Sequence, residues 1–264
     1  MAKTTVSAFA KRREAGEKLV MITAGSAAES AAAAAAGIDL ILVGDSLGMT
    51  MLGFANTLPV TMEMMLHHTA AVRRGAPEAF VIFDMPFMSY HTGADEAVRN
   101  AGRALQEAGA DAVKLEGGAD PGLIRRLVAS GIPVLGHLGL LPQHVQAIGG
   151  YRIVGRSEAA ADEVVAEAQA LEAAGAFAVV LECVPEALGR RVTETLHIPT
   201  IGIGSGAGCS GQVQVLYDTL GITARTPKHA KRFADLGETM RRALAEYASE
   251  VRSGAFPAEE NTFK

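Results

Sequence analysis

The stretch AGADAVKLEGG, residues 108–118, contains the pattern on which the fold prediction depends. Gly109 follows an alanine-rich helical segment and can end that helix in a left-handed turn. The next residues, near 111–115, form a short and mostly apolar run, which is typical of a parallel strand buried on both faces. Glu116 and two glycines then follow the strand. The stretch therefore predicts a helix, a tight junction and a buried strand with polar residues at its end.

Similar junctions recur along the chain, as AGID at 36–39 and AGAF at 174–177. We predict strands near 18–23, 38–44, 79–84, 111–115, 132–136, 177–182 and 198–203, with a weaker eighth near 213–217. Helices are predicted near 27–36, 60–73, 93–108, 120–130, 157–174 and 185–195, and an amphipathic helix in the tail after about 232. Alternating strands and helices predict a parallel sheet. Eight such units favour a closed barrel over an open sheet.

The predicted fold class is therefore α/β: one (β/α)₈ TIM barrel over residues 1–264, with an N-terminal extension and a C-terminal helix. Composition agrees with a large packed core, because 49% of the 264 residues are apolar. Aromatic residues make up only 5%, so aliphatic side chains must fill the interior.

Charge and cysteine content narrow the classes of partner. The net charge is −5 with no block of lysine or arginine, which argues against a nucleic-acid partner. No apolar stretch reaches the roughly 20 residues that span a bilayer, and the first residues lack an apolar signal core. Two cysteines, Cys183 and Cys209, fit a reducing compartment. We therefore expect a cytoplasmic protein without a membrane partner.

Ionisable residues follow five consecutive predicted strands. They are Asp45 with Ser46 after the second, Asp84 after the third, Lys114 with Glu116 at the fourth, His137 at the fifth and Glu182 at the sixth. Reactive groups of barrel enzymes lie at this end of the strands. Taken singly, an aspartate can cap a helix, a histidine can sit in a core and a Lys–Glu pair can be a simple ion pair. Burying so many charges at one rim without a role would be costly, so the set predicts an active site.

Three of these residues indicate a metal-binding site. Asp45, Asp84 and Glu116 offer only oxygen ligands, which suit Mg²⁺, and the absence of an HxH or CxxC pair argues against zinc. Lys114 and Glu116 are two residues apart, so both should point into the barrel mouth. Cys183 directly follows Glu182 and should point away, as a buried packing residue. The glycine-rich run 202–208 lies too late in the chain for a Rossmann fingerprint.

Seven motifs together resemble the ketopantoate hydroxymethyltransferase family. They are VGDSLGMTMLGFANTLPVTMEMMLHHTAAVRRGAP (43–77), DMPFMSY (84–90), VKLEGG (113–118), PVLGHLGLLPQ (133–143), GGYRIVGR (149–156), LECVPE (181–186) and IGIGSG (201–206). Their order and spacing cover nearly the whole chain. The resemblance implies a barrel of the phosphoenolpyruvate mutase/isocitrate lyase superfamily, the first committed step of pantothenate synthesis, and a homo-oligomer, typically a decamer.

The resemblance also implies roles. Asp45, Asp84 and Glu116 match the family's metal site, and Asp45, Ser46, Asp84 and Lys114 match positions that contact a 2-oxo acid. His137 matches a histidine near the substrate's oxygens, and Glu182 matches the catalytic base. The implied reaction moves a hydroxymethyl group from 5,10-methylenetetrahydrofolate to 3-methyl-2-oxobutanoate through a magnesium-stabilised enolate, giving 2-dehydropantoate.

The sequence departs from the family pattern at two places. Gly25 and Ser26 stand where the family usually has Tyr-Asp, and Ser210 stands where it often has Asp. Two other functions remain open: another magnesium-dependent enzyme of the superfamily that makes or breaks a carbon–carbon bond beside a 2-oxo acid, or a non-catalytic barrel that binds one. The catalytic-cysteine loop of the lyases is absent, and Glu182 is present, which disfavours both.

Overall fold

A computed structural model describes residues 4–118 and 120–263 and contains a closed barrel of eight parallel strands. The strands are β1 Leu19–Thr23, β2 Leu40–Val43, β3 Phe80–Asp84, β4 Ala112–Glu116, β5 Val134–Gly139, β6 Ala178–Glu182, β7 Thr200–Ile203 and β8 Gly211–Gln214. Each strand pairs with the next, and β8 pairs with β1. The predicted (β/α)₈ fold class is confirmed.

Helices alternate with the strands along the chain. They are α1 Val6–Glu14, α2 Ala27–Ala35, α3 Leu47–Thr50, α4 Met62–Gly75, α5 Ala94–Gln106, α6 Pro121–Ala129, α7 Val145–Ile148, α8 Glu158–Ala173, α9 Glu186–Thr195, α10 Leu216–Thr219 and α11 Leu236–Ser253, with 3₁₀ turns at Pro142–His144 and Glu259–Asn261. The predicted helices overlap α2, α4, α5, α6, α8, α9 and α11. Within the described ranges, no helix combines the length and the apolar character needed to cross a membrane.

The eighth strand lies earlier than the sequence predicted. The prediction near 213–217 places it too late, because the strand spans Gly211–Gln214 and α10 begins at Leu216. In this strand only Val213 is a buried apolar side chain, paired with Met21 of β1. The apolar signal of the predicted range therefore mixes a strand end with the start of a helix.

The chain divides into two compact units, with the boundary between Val215 and Leu216. The first unit holds α1 and the whole barrel. The second holds α10, α11 and the final 3₁₀ turn, and it is linked internally by backbone hydrogen bonds such as Leu236 N to Leu220 O at 2.9 Å. No residue of α11, which is fully described, is buried. The single-domain assignment stays a prediction.

The junctions between helices and strands use glycine and aspartate in a repeated way. The glycines of the three predicted junctions adopt left-handed backbone angles, with φ of +76° at Gly37, +73° at Gly109 and +98° at Gly175. Asp39 accepts a hydrogen bond from Val20 N at 2.8 Å, and Asp111 accepts one from Val81 N at 2.9 Å. The glycine thus turns the chain while the aspartate ties its new strand to the preceding one.

The barrel interior is closed at its N-terminal end by α1. Phe9 of this helix is buried and packs edge-on against Phe80, with ring centroids 4.9 Å apart, and stacks on Phe177 at 6.3 Å. Phe80 is the first residue of β3, and Phe177 directly precedes β6. A helix outside the predicted strand–helix repeat therefore supplies the aromatic plug of the inner core, and the opposite end stays available for polar groups.

Substituting Phe9 tests this plug. Phe9→Ala should lower the free energy of unfolding by about 3–5 kcal/mol, the usual effect of removing a buried phenylalanine. Urea unfolding followed by circular dichroism measures it. Phe263→Ala is the matched control, because Phe263 is fully exposed and its loss should leave the midpoint unchanged. Equal midpoints for the two variants would contradict the assignment.

Candidate active site

The polar ends of β2, β3 and β4 meet in one buried cluster. Asp45 N donates to Asp84 Oδ2 at 3.2 Å. Lys114 Nζ donates to Asp84 Oδ1 at 2.6 Å and lies 3.8 Å from Glu116 Oε1. All four residues are buried. Lys114 and Glu116 therefore point into the same space, as predicted.

His137 of β5 continues this cluster to β6. Its Nδ1 lies 3.6 Å from Glu116 Oε1, and its Nε2 lies 3.3 Å from Glu182 Oε2. Gly139 allows the end of β6 to approach, since a Cβ there would lie 2.2 Å from Glu182 O. Leu140 N donates to that same oxygen at 2.8 Å. The predicted site residues from five neighbouring strands are thus brought together.

Ser46 lies beside the same cluster. It occupies the N-cap position of α3, yet its hydroxyl makes no capping hydrogen bond. A Cβ built on Gly44 would lie 3.0 Å from Ser46 Oγ and 3.8 Å from Asp84 Oδ2. The hydroxyl and the carboxylate therefore face a common region next to Gly44.

Burial and mutual repulsion shape the charges of the aspartates. Burial raises the pKa of Asp45 well above its usual value, and the charges of Asp84 and Glu116 raise it further. Burial also raises the pKa of Asp84, against the opposing effect of Lys114. In both aspartates the charged form is therefore less favoured than in an exposed aspartate. Burial alone would lower the pKa of Lys114, but Asp84 and Glu116 outweigh it and raise that pKa, which keeps the ammonium charged at neutral pH.

His137 is held in its charged form by two carboxylates. Burial and Lys114 would lower the pKa of His137, but Glu116 and Glu182 outweigh them and raise it to about 9. Burial would raise the pKa of Glu116, yet His137 and Lys114 lower it. Glu116 thus lies as an anion between two cations.

The cluster fits a divalent cation by its charge and its donor atoms. Asp45, Asp84 and Glu116 are carboxylates with one ammonium, Lys114, among them. Glu116 Oε1 is buried without a hydrogen-bond partner among the described residues. As the side chains stand, the described part of the chain has no three metal ligands grouped around one point, and Lys114 lies against Asp84 instead. Hard oxygen donors with excess negative charge suit Mg²⁺.

Residues not predicted for the site also reach it. Gln143 donates from Nε2 to Asp45 Oδ2 at 3.0 Å, and Tyr90 donates to Gln143 Oε1 at 2.8 Å. The hydroxyl oxygen of Tyr151 lies 3.7 Å from Met49 Sδ. Burial and the charge of Glu182 raise the pKa of Tyr151. All three uncharged side chains lie in loops or a 3₁₀ turn, where strand-end reasoning does not reach. Their presence within the quoted motifs was the available signal.

Cys183 differs from its prediction. It is half-buried rather than buried, and its backbone is left-handed with φ of 50°. Its N donates to Ile203 O at 2.9 Å and its O accepts from Val154 N at 3.0 Å, so backbone hydrogen bonds hold this conformation. Burial and Glu182 raise the pKa of the thiol to about 11. The thiolate is therefore scarce at neutral pH, which does not suit a nucleophile.

The space beside Gly25 is filled by another residue. A Cβ at Gly25 would lie 2.5 Å from Met51 Sδ. Gly25 O accepts from His68 Nδ1 at 2.7 Å, and Gly25 N donates to Glu29 Oε2 at 2.7 Å. Ser26 caps α2 by accepting from Glu29 N at 3.3 Å. Both departures at this strand end are thus built into local packing and capping.

The departure at Ser210 lies at the other end of the barrel. Its N donates to Thr200 Oγ1 at 3.2 Å, and its O accepts from Leu19 N at 3.0 Å. Thr200 and Leu19 are the first residues of β7 and β1. Ser210 therefore links strand starts and is remote from the polar strand ends.

Comparison with known proteins gives the family. The sequence profile described as "Ketopantoate hydroxymethyltransferase" matches residues 3–259. The chain belongs to this family. It is similar to the 3-methyl-2-oxobutanoate hydroxymethyltransferase of Syntrophus aciditrophicus, at 53% identity over 99% of the chain and 97% of that protein. The enzyme of the same name from Pyrobaculum islandicum is 53% identical, with 99% of each chain covered. The predicted family and the predicted enzyme class, a transferase, are confirmed.

Solved structures support the same barrel fold. A phosphonopyruvate hydrolase in complex with oxalate and Mg²⁺ aligns with a TM-score of 0.63 at 14% identity, covering 99% of this chain and 93% of its own. A 2,3-dimethylmalate lyase of the PEP mutase/isocitrate lyase superfamily aligns with a TM-score of 0.61 at 16% identity, covering 98% and 91%. At these identities the likeness concerns the fold alone.

The contact between Gly25 and Met51 can be tested by a double-mutant cycle. Gly25→Ala should lower the free energy of unfolding by about 1–3 kcal/mol, because the new methyl group overpacks against the thioether. In a Met51→Ala background the same change should cost less than about 1 kcal/mol, since space has been made. Urea unfolding of the four proteins measures the coupling.

Gly102→Ala serves as the control for this cycle. Gly102 lies within α5 and has open space where its Cβ would be. This substitution should not destabilise the protein, since alanine favours a helix over glycine. An equal cost of Gly25→Ala in both backgrounds would show that Met51 does not fill the site.

Proposed function

We propose that the chain transfers a hydroxymethyl group from 5,10-methylenetetrahydrofolate to 3-methyl-2-oxobutanoate, giving 2-dehydropantoate for pantothenate and coenzyme A synthesis. In this reaction carbon 3 of the 2-oxo acid loses its hydrogen and bonds to the methylene carbon. Water supplies the hydroxyl oxygen and tetrahydrofolate leaves. Membership of the family and the names of relatives about half identical to this chain support the reaction.

The position of Glu182 carries the proposal. Its side chain is 17% exposed, whereas those of Glu116, Lys114 and His137 beside it are 5% exposed or less. Glu182 is thus a more exposed carboxylate than Asp84 and Glu116 in this cluster. The Nε2 atom of His137 lies 3.3 Å from Glu182 Oε2. This arrangement suits a general base that removes the hydrogen of carbon 3.

The buried charges suit the rest of the substrate. The Lys114 ammonium remains charged next to Asp84 and can bind the carboxylate of a 2-oxo acid. Asp45, Asp84 and Glu116 would hold magnesium, and the ion would act as a Lewis acid toward the keto and carboxylate oxygens. Ser46 can donate to the same substrate oxygens. The negative charge that develops on the keto oxygen would thus meet fixed positive groups.

The cellular location, the oligomeric state and the partners of the enzyme are also part of the proposal. The low cysteine content, two residues in 264, supports a reducing cytoplasm as its location. The family resemblance supports a homo-oligomer, typically a decamer. The partners are two small molecules, the 2-oxo acid and the folate, without nucleic acid or membrane. Gel filtration with light scattering measures the oligomeric state directly.

Metal removal should abolish turnover. EDTA should reduce product formation to the background, and Mg²⁺ should restore it, because the carboxylates would lose their counter-ion. Asp84→Ala should lose Mg²⁺ affinity and activity together. Asp95→Ala changes a highly exposed aspartate and should leave both unchanged. Full turnover in excess chelator would exclude the metal assignment.

Proton removal can be measured without the donor. With 3-methyl-2-oxobutanoate, Mg²⁺ and D₂O, the enzyme should place deuterium at carbon 3, which proton NMR detects. Glu182→Gln keeps the shape but removes the base, so exchange should fall ~10²–10⁴-fold. Glu186→Gln, on the exposed face of α9, is the control and should exchange as the parent does. Parental exchange rates in Glu182→Gln would show that another group takes the proton.

A further inference from the structure

Gln143 connects the loop after β5 to two carboxylates of the cluster. It is buried in the 3₁₀ turn Pro142–His144. Its backbone N donates to Glu116 Oε2 at 3.0 Å, and its side-chain Nε2 donates to Asp45 Oδ2 at 3.0 Å and to Met85 O at 2.9 Å. One residue therefore contacts groups delivered by β2, β3 and β4.

Tyr90 determines which way the Gln143 amide faces. The Tyr90 oxygen accepts from Glu116 N at 3.3 Å, and its single proton goes to Gln143 Oε1 at 2.8 Å. Because Oε1 accepts that bond, the amide NH₂ must face Asp45 and Met85 O. The amide oxygen and the amide NH₂ group of Gln143 thus both have hydrogen-bond partners. These partners determine the orientation of the amide.

The same contacts select which carboxylate oxygens stay available. Gln143 occupies Oδ2 of Asp45 and Oε2 of Glu116. Glu116 Oε1 is buried and has no hydrogen-bond partner among the described residues. Asp45 is also under repulsion from Asp84 and Glu116, and Gln143 offers it an uncharged donor. A neutral amide can hold two anions without adding a charge that would compete with a cation.

We propose that Gln143, oriented by Tyr90, is a positioning residue for the magnesium site: it holds one oxygen of Asp45 and one of Glu116 and thereby directs the other oxygens to the cation. The inference rests on the proposed magnesium site. Gln143 acts through the two carboxylates and not directly on the substrate. Partners that orient metal ligands typically change metal affinity 10–100-fold, roughly, when they are removed.

The experiment measures binding of Mn²⁺ to the apoenzyme through the loss of the free-ion EPR signal, without substrate or donor. Gln143→Leu keeps the bulk and removes the amide, so the Kd for Mn²⁺ should rise about 10–100-fold. The control is Gln146→Leu, which changes an exposed glutamine three residues along the chain and should bind as the parent does. Thermal unfolding of each apoenzyme checks that it is folded.

Tyr90→Phe gives a second, independent test that retains the ring. It removes the hydroxyl that orients the amide, so it should also weaken Mn²⁺ binding, and the double variant should be less than multiplicative because the two groups act together. If Gln143→Leu does not fold, this variant decides the inference. Unchanged Mn²⁺ affinity in folded Gln143→Leu or, failing that, Tyr90→Phe overturns it. A parent protein that does not bind Mn²⁺ overturns the magnesium site itself.

Discussion

The electrostatic cost of burying like charges in the barrel mouth governs this molecule. Asp45, Asp84 and Glu116 are each at most 6% exposed. Burial and mutual repulsion raise the pKa of both aspartates. Lys114 offsets part of that repulsion through its contact with Asp84. A set of this kind is unstable unless its charges are paired or coordinate an ion. Lys114 therefore leaves part of this electrostatic cost uncompensated, since the pKa of both aspartates stays raised in its presence.

The strand register fixes the order of charges around the mouth. Asp84 pairs in register with Lys114, Glu116 with His137, and Gly139 with Glu182. Neighbouring strands of a sheet lie about 4.8 Å apart, which brings paired side chains into contact without any long loop. Acidic and basic residues consequently alternate from β3 to β6, and the last carboxylate emerges at the exposed edge. The inner core depends on the same register, because α1 and its Phe9 close the opposite end. Stability is concentrated at one end of the strands and chemistry at the other.

The sequence was informative where structure follows from local periodicity. Buried parallel strands and the glycine–aspartate junctions are local signals, so the barrel and its rim residues could be predicted from them. The eighth strand could not be placed well, because only Val213 contributes a buried apolar side chain. Gln143 and Tyr90 are polar, uncharged and outside the strands, and they meet through a contact across 53 residues of sequence. The exposure of Glu182 relative to Glu116 is likewise a property of packing. Sequence reasoning thus identified the ionised groups and missed the neutral groups that orient them.

The two departures from the family pattern illustrate the difference between the ends of the barrel. Ser210 joins the starts of β7 and β1 through Thr200 and Leu19, so a change there acts on strand packing. Gly25 lies at the rim, where the loss of a large side chain would leave a cavity unless a neighbour filled it. Met51 fills that space, since a Cβ at Gly25 would meet its sulfur. The glycine and the methionine are therefore in direct packing contact, and a larger side chain at position 25 would require Met51 to move. Neither residue belongs to the series of charged residues from Asp84 to Glu182, so this packing contact does not involve the strand register that brings those charges together.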